Sequence, residues 1–322
     1  MDKGNLNKWD MVTLGESMVV FAPTERGTLE IVTEFRRGMA GAEGNVSVGL
    51  TRLGHQVLWM SRLGKDGFGR FLLKTMRGEG VDVSRVKVDP DRSTGVYFKE
   101  YGADGQVRVQ YYRSGSAASA LSPADVDLTG VQASYLFVTG ITPALSDSCD
   151  QAVRAAMAQA RMQGMQVVFD PNVRYKLWGS PKRAAEVMSE LGSMADIVLP
   201  GLDEGKLMTG YTEVTEMATA LLRGRTRLVV IKLGSEGAYY QTVEGGDRIQ
   251  GFSVQQVDEV GAGDAFAAGL LSGLIEGLLI PEAVRRACAL GAMAVTVVGD
   301  YEGLPDRESL EQFVKGGYSP AR

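Results

Sequence analysis

From residue 133 onward the chain alternates short apolar runs with helix-length amphipathic stretches, and this rhythm restricts the fold more than any other feature. Tyr135 to Thr139, Gln166 to Asp170, Ile197 to Leu199 and Leu228 to Lys232 predict strands. Between them, Ser146 to Gln163, Pro181 to Leu191, Asp203 to Thr209 and Val214 to Leu222 carry apolar residues at helical spacing and predict helices. Strands and helices that alternate at this length make βαβ units. Such units build a mostly parallel sheet covered by helices, an α/β fold.

Met11 to Phe21 reads as one strand with Gly15-Glu16-Ser17 inside it, and Gly38 to Gly44 as a glycine-rich loop. Asn45 to Leu53 and Phe68 to Glu79 predict helices, with a short strand at Val57 to Leu63 between them. Thr94 to Arg113 breaks the pattern: Val96, Phe98 and Tyr101, then Val107, Val109 and Tyr111, predict two strands around Gly102-Ala103-Asp104-Gly105. A hairpin inserted into a β-α series is a candidate lid or interface sheet. Gly237 to Thr242 and Asp247 to Phe252 predict a second hairpin, and helices follow at Asp264 to Glu276, Pro281 to Val298 and Asp306 to Val314. Without repeats, low-complexity tracts or linkers, residues 1–322 are expected to form one domain.

Composition narrows the function. A net charge of -5 leaves no basic stripe to neutralise a nucleic-acid backbone. Cys149 and Cys288 lie far apart and read as two small buried side chains. His55 follows Leu53-Gly54 and reads as a surface or capping residue, so a histidine-based mechanism has little material. The polar N-terminus does not read as a signal peptide, and the apolar run from Leu270 to Ile280 is too interrupted to span a bilayer. A cytoplasmic enzyme is expected.

Val257 to Gly269 is the run that carries chemistry. Gly261 and Gly263 allow a tight turn that points successive N–H groups at one spot, and a small-residue helix starts at once. A helix start favours an anion, and Asp264 would sit beside it. Amides for phosphate oxygens and a carboxylate to take a proton from an alcohol are what phosphoryl transfer to a hydroxyl needs. On composition alone, a capped helix after a glycine turn accounts for the run equally well. Neither a Walker-type phosphate loop nor Gly-x-Gly-x-x-Gly after a strand is present.

These motifs resemble the ribokinase-like (PfkB) carbohydrate kinases along almost the whole chain. The family's Asp-x-x-Gly-Ala-Gly-Asp signature is matched at Asp258 to Asp264, and its glycine loop before an asparagine at Gly41-Ala42-Glu43-Gly44-Asn45, with Ala40 in place of the usual first glycine. The resemblance implies a three-layer sandwich with a mostly parallel central sheet and a small β-sheet lid, whose strands fall roughly within 16–38 and 94–113. It implies Asp264 as catalytic base, with the amides of Gly261, Ala262 and Gly263 as the anion hole. Lys232, Gly234, Ser235 and Gly237 match a nucleotide loop, together with Gly261 and Gly263. Cys288 replaces a frequent asparagine near the adenine. Glu204 matches an acid that helps organise Mg²⁺ through water, with Gly201 in place of an asparagine. ATP and Mg²⁺ are the implied cofactors; a monovalent cation is left open.

For the acceptor, neutral-sugar members of the family carry an aspartate where this chain has Val20. Four segments, at Thr94 to Tyr97, Tyr111 to Ala117, Thr139 to Ser146 and Gly299 to Gly303, resemble the 2-keto-3-deoxygluconate kinases. That resemblance implies a sugar site of Gly41, Asn45, Tyr97, Tyr111, Arg113, Arg174 and Asp300. An acidic sugar suits arginines, whose planar fork binds a carboxylate, and lid closure would bring Arg113 onto it. A fructokinase or nucleoside kinase of the same family, and a non-catalytic nucleotide-binding regulator, are the alternatives. No nucleic-acid or membrane partner is expected; a homodimer or higher homo-oligomer through the lid is.

Overall fold

The computed structural model describes residues 8–102 and 107–316. The first half runs β1 (Lys8–Leu14), β2 (Met18–Pro23), β3 (Phe35–Ala40), α1 (Ala42–Arg52), β4 (Val57–Met60), β5 (Arg62–Gly64), α2 (Gly67–Gly78), β6 (Lys87–Asp89), β7 (Val96–Tyr101), β8 (Val107–Tyr112) and β9 (Gln132–Thr139). The second runs α3 (Asp147–Met162), β10 (Gln166–Asp170), α4 (Pro181–Met194), β11 (Ile197–Val198), α5 (Leu202–Thr209), α6 (Val214–Leu221), β12 (Leu228–Lys232), β13 (Ala238–Thr242), β14 (Gly245–Ile249), α7 (Ala262–Ile275), α8 (Ile280–Ala294) and α9 (Arg307–Val314).

The main sheet has the order β14-β13-β12-β11-β10-β9-β1-β4. It is parallel from β12 to β4, and β13 and β14 add an antiparallel edge. Successive strand side chains point to opposite faces, and the two cores follow that alternation. Met11, Phe137, Val168 and Val230 pack with α1, α2, α7 and α8 on one face. Val12, Leu136, Phe169 and Val229 pack with α3, α4, α5 and α6 on the other. This is the expected three-layer α/β sandwich. No helix of the described residues is long and apolar enough to cross a membrane.

A smaller sheet, β3-β2-β7-β8, lies apart from the main one. Its register aligns Gly38, Val20, Tyr97 and Tyr111 in one row. The opposite face carries Phe21 and Phe98, stacked 4.9 Å apart, with Phe68 of α2 edge-on to Phe21.

Three local expectations are corrected. Met11 to Phe21 is two strands in two sheets, because the chain turns at residues 15–17. Gly15 permits the turn: a Cβ there would lie 2.1 Å from the Glu43 carboxyl carbon. The apolar pattern continues through the turn, so periodicity does not register the change of sheet. Second, β3 occupies the start of the supposed glycine loop, which shrinks to Gly41 (φ 149°), and α1 begins at Ala42. Third, His55 is buried, with Nε2 2.9 Å from Ser272 Oγ and carboxylates of Glu276 and Asp10 nearby. Its partners come from β1, α7 and the turn after α7, which a local reading does not see.

Helix α7 carries Asp264, and its glycines let α8 approach closely. A Cβ on Gly269 would lie 2.7 Å from Ala287 Cα, and one on Gly273 equally close to Ala283 Cα. Gly269→Ala should therefore cost about 1–3 kcal/mol of stability in chemical denaturation, as overpacked cores do.

Candidate active site

The parallel strands end on one edge of the sheet, where α/β proteins place their ligands. β10 ends in Asp170 and β12 in Lys232; the Lys232 ammonium donates to Asp170 Oδ2 at 2.7 Å. Beside them the 258–261 loop turns into α7. Gly261 is left-handed (φ 79°), and a Cβ on it would lie 2.1 Å from the Asp300 carbonyl oxygen, so only glycine fits. Asp258 fastens this loop by accepting from Val260 N–H (3.1 Å) and Gly299 N–H (3.3 Å). Gly263 faces Lys232: a Cβ there would lie 3.7 Å from its Nζ. The result is a helix N-terminus with the Gly261 and Gly263 amides and an ammonium close by, while Ala262 N–H donates to the Glu259 carbonyl at a long 3.4 Å; such an arrangement suits an anion.

Asp264 lies in the first turn of α7, half-buried, and accepts from Asn45 Nδ2 at 2.7 Å. Burial raises its pKa, against the pull of Asn45, Lys232 and Arg174. Asn45 itself lies in the first helical turn after Gly41, where a Cβ would strike the Glu16 carbonyl oxygen at 2.5 Å. Its Oδ1 has no hydrogen-bond partner among the described residues. Asp170 is pushed up to about 6 by burial, with Lys232 opposing. Burial works against the Lys232 charge, but Asp170 and Glu204 outweigh it and raise its pKa.

Glu204 caps α5. Its two oxygens accept from Gly201 N–H (2.7 Å) and Val173 N–H (2.8 Å), holding the loops after β10 and β11 together. No group of three metal-ligating side chains occurs among the described residues. The donor set suits Mg²⁺ all the same, because that ion keeps its waters and relies on substrate phosphates plus one or two carboxylates, here Asp170 and Glu204. On the nucleotide side, Gly234 and Ser235 are exposed and Gly237 (φ 100°) packs against the Ile249 carbonyl oxygen. Cys288 is buried on α8, which packs against β13 and β14, and burial pushes its thiol up to about 11.

On the sugar side, the Tyr97 hydroxyl lies 3.3 Å from both Asp300 oxygens, and the Tyr97 and Tyr111 rings are 5.3 Å apart. Burial, then Asp300, raises the Tyr97 pKa. Arg113 was expected as a cation carried by a moving lid. Instead it is buried just after β8 and ion-paired with Glu16, which also accepts from Ser116 Oγ at 2.8 Å. Arg174 is exposed and makes no ion pair among the described residues, and its charge reaches Asp264.

Three residues escaped the sequence reading. Glu16 sits inside what reads as a strand. Glu43 lies between Gly41 and Asn45, buried, with Oε1 accepting from Thr139 Oγ1 (2.8 Å) and Thr142 Oγ1 (2.9 Å). Lys99 shares a strand face with Tyr97, two residues away, so the period-2 signal was present. It is buried, with Nζ 3.3 Å from Asp300 Oδ2.

A ribokinase-like sandwich with an anion loop, a carboxylate at the helix start and a small sheet at the crevice defines a phosphotransferase. The pfkB family carbohydrate kinase model matches residues 9–307, and the chain belongs to that family. A 2-dehydro-3-deoxygluconokinase from Bacillus subtilis (strain 168) is 43% identical over 310 residues, covering 95% of this chain and 96% of that protein. A 2-dehydro-3-deoxygluconokinase from Thermoproteus tenax is 34% identical, covering 95% and 94%. Among solved structures, a ribokinase II from E. coli in complex with ATP and Mg²⁺ superposes with a TM-score of 0.88 at 25% identity, covering 96% of this chain and 99% of that one.

Glu43 offers a test of site electrostatics. Burial pushes its pKa up to about 7 from 4.5, with the two threonines opposing. The folded state therefore holds a proton that the unfolded chain releases, so stability is greatest below pH 4.5 and falls as the pH rises towards 7. Glu43→Gln removes that loss. Its urea-unfolding stability relative to wild type should improve by a few kcal/mol, order of magnitude, between pH 4.5 and 8.

Proposed function

We propose that this chain transfers the γ-phosphate of ATP to the 6-hydroxyl of 2-keto-3-deoxygluconate, with Asp264 as general base. The observation that carries the reading is Asp264 itself, at the start of α7 beside the anion loop and aimed by Asn45 at 2.7 Å. The deoxygluconokinase relatives at 43% and 34% identity support the substrate, and the ATP-bound ribokinase II supports the donor.

In this reading the γ-phosphate lies against the amides of Gly261, Ala262 and Gly263, with Lys232 beneath them. Those donors are fixed before the substrate arrives, so charge that develops on the phosphoryl oxygens meets aligned dipoles. Asp264 accepts the proton of the 6-hydroxyl as that oxygen attacks phosphorus in line, and the bond to the ADP oxygen breaks. Lys232 and Arg174 favour the ionised, proton-accepting form of Asp264 against burial. The orphaned Asn45 Oδ1 is an acceptor of the kind a sugar hydroxyl satisfies. Mg²⁺ bound with the nucleotide supplies charge neutralisation at the phosphates, and Asp170 and Glu204 are the acids that would hold its waters. Gly234, Ser235 and Gly237, with Cys288 behind them, are assigned to the nucleoside end.

Arg174, which has no ion-pair partner among the described residues, is the cation for the sugar carboxylate. Arg113 and its Glu16 form a neutral pair at the back of the site, with Gly41, Tyr97, Tyr111 and Asp300 around the hydroxyls. Val20 puts an apolar group where a carboxylate would repel the substrate. We assign the enzyme to the cytoplasm, the compartment that ATP and a phosphorylated sugar suit.

Asp264→Asn should lower kcat by about 10²–10⁴ with the fold intact by circular dichroism. Near-wild-type turnover would refute the base assignment. In a coupled assay across neutral and acidic sugars, 2-keto-3-deoxygluconate should be preferred and Arg174→Ala should raise its KM. Equal use of neutral sugars would overturn the substrate while sparing the kinase.

Strand β8 forms an edge of the small sheet with Val107, Tyr111 and Tyr112 exposed. We assign that edge to pairing with a second copy, so sedimentation at micromolar concentration should show a dimer or higher species; monomer alone would refute it.

A further inference from the structure

Among the carboxylates on the sugar side of the crevice are Glu16 and Asp300, although the substrate proposed for it is an anion. Each has a buried cation of its own. Arg113 pairs with Glu16. Lys99, 5% exposed on β7, sets its ammonium 3.3 Å from Asp300 Oδ2, while Tyr97 from the same strand face donates to that carboxylate. Asp300 is not free to turn away, because its carbonyl packs on Gly261 and the preceding Gly299 N–H is held by Asp258. We infer that Lys99 is a specificity-determining residue: its ammonium cancels the charge of Asp300, so that Asp300 can face the hydroxyls of an anionic sugar without repelling its carboxylate. This inference rests on the acidic-sugar reading above.

A purely structural role accounts for the arrangement less well. A buried ion pair is weak evidence for stability, and apolar residues of similar volume often replace one without loss. The apolar cluster on this sheet, Met18, Val20, Ala40 and Tyr97, shows that it packs apolar side chains readily. The groups facing Asp300 are Lys99 and Tyr97 from β7, Asp264 from α7, and Glu302 from its own loop. Burial pushes Asp300 up to about 6; Lys99 opposes this, and Asp264 and Glu302 add to it. Without Lys99, Asp300 would stay protonated to a higher pH and then ionise with no counter-charge beside the substrate.

That sequence predicts a signature in KM rather than in kcat. In Lys99→Met, the KM for 2-keto-3-deoxygluconate should climb by about tenfold or more between pH 6.5 and 9, because the unpaired Asp300 charge appears over that interval. Wild type should change far less. Lys99→Met/Asp300→Asn should lose the climb, even with KM raised throughout by the missing hydroxyl contact. Lys99→Gln provides the same test if the methionine variant does not fold. A Lys99 variant whose KM follows the wild-type pH profile, or a double variant that keeps the climb, would overturn the inference. A wild-type enzyme that shows no preference for acidic sugars would instead refute the acidic-sugar reading, so the two failures are distinguishable.

Discussion

A carboxylate has to sit at the amide-rich head of α7 without being either neutralised or pushed away, and the rest of the crevice depends on how that is arranged. Asp264 and Asn45 are 219 residues apart in sequence and joined at 2.7 Å. The bond fixes the carboxylate at the positive end of α7, where the dipole and Lys232 favour its charge. It also means that α1, which carries Asn45, and α7 must hold their relative position. Arg52 at the end of α1 donates to the carbonyls of Tyr301 (3.0 Å) and Leu304 (2.8 Å), in the loop whose Asp300 backs Gly261. The anion loop is therefore gripped from α1, from Asp258 and from the 299–304 segment together.

Three of the carboxylates at this edge are each paired with a cation. Asp170 has Lys232, Glu16 has Arg113 and Asp300 has Lys99. Pairing resolves a conflict that composition cannot show, since an acidic crevice would repel both a nucleotide triphosphate and an acidic sugar. Arg174 is left to act outward. Glu43, with no ion-pair partner among the described residues, is held by two threonine hydroxyls and shifted towards its neutral form.

The layered α/β architecture was legible because parallel strands buried on both faces read as apolar runs between amphipathic helices. Asp264, Asn45 and the glycine turn were legible because their types and spacing fit one chemistry. What escaped was set by tertiary contacts. The turn at Gly15 passes too close to a carboxylate from α1 for any side chain, and an alternating pattern reads straight through it. His55 finds its partners on β1, on α7 and just beyond α7. Arg113 looks like an outward cation at a strand end, and only the fold reveals Glu16 beside it. Lys99 shared the phase of Tyr97, but a lysine in a strand reads by default as solvated. Asp258, read as part of a signature, proves to be a clasp between two loops.

The row Gly38, Val20, Tyr97 and Tyr111 separates two problems that many enzymes must solve with the same residues. Phosphate handling belongs to the main sheet and α7, whereas this row belongs to a different sheet whose order is set by its own backbone ladder. Of the four, only Tyr97 is tied to the phosphate side, through Asp300; in the proposed reading an exchange at Val20 or Tyr111 would change the acceptor side and leave the anion loop's supports in place. If those positions set the acceptor, selectivity in such a molecule would be largely modular, open to change one strand position at a time while the reaction centre stays in working order.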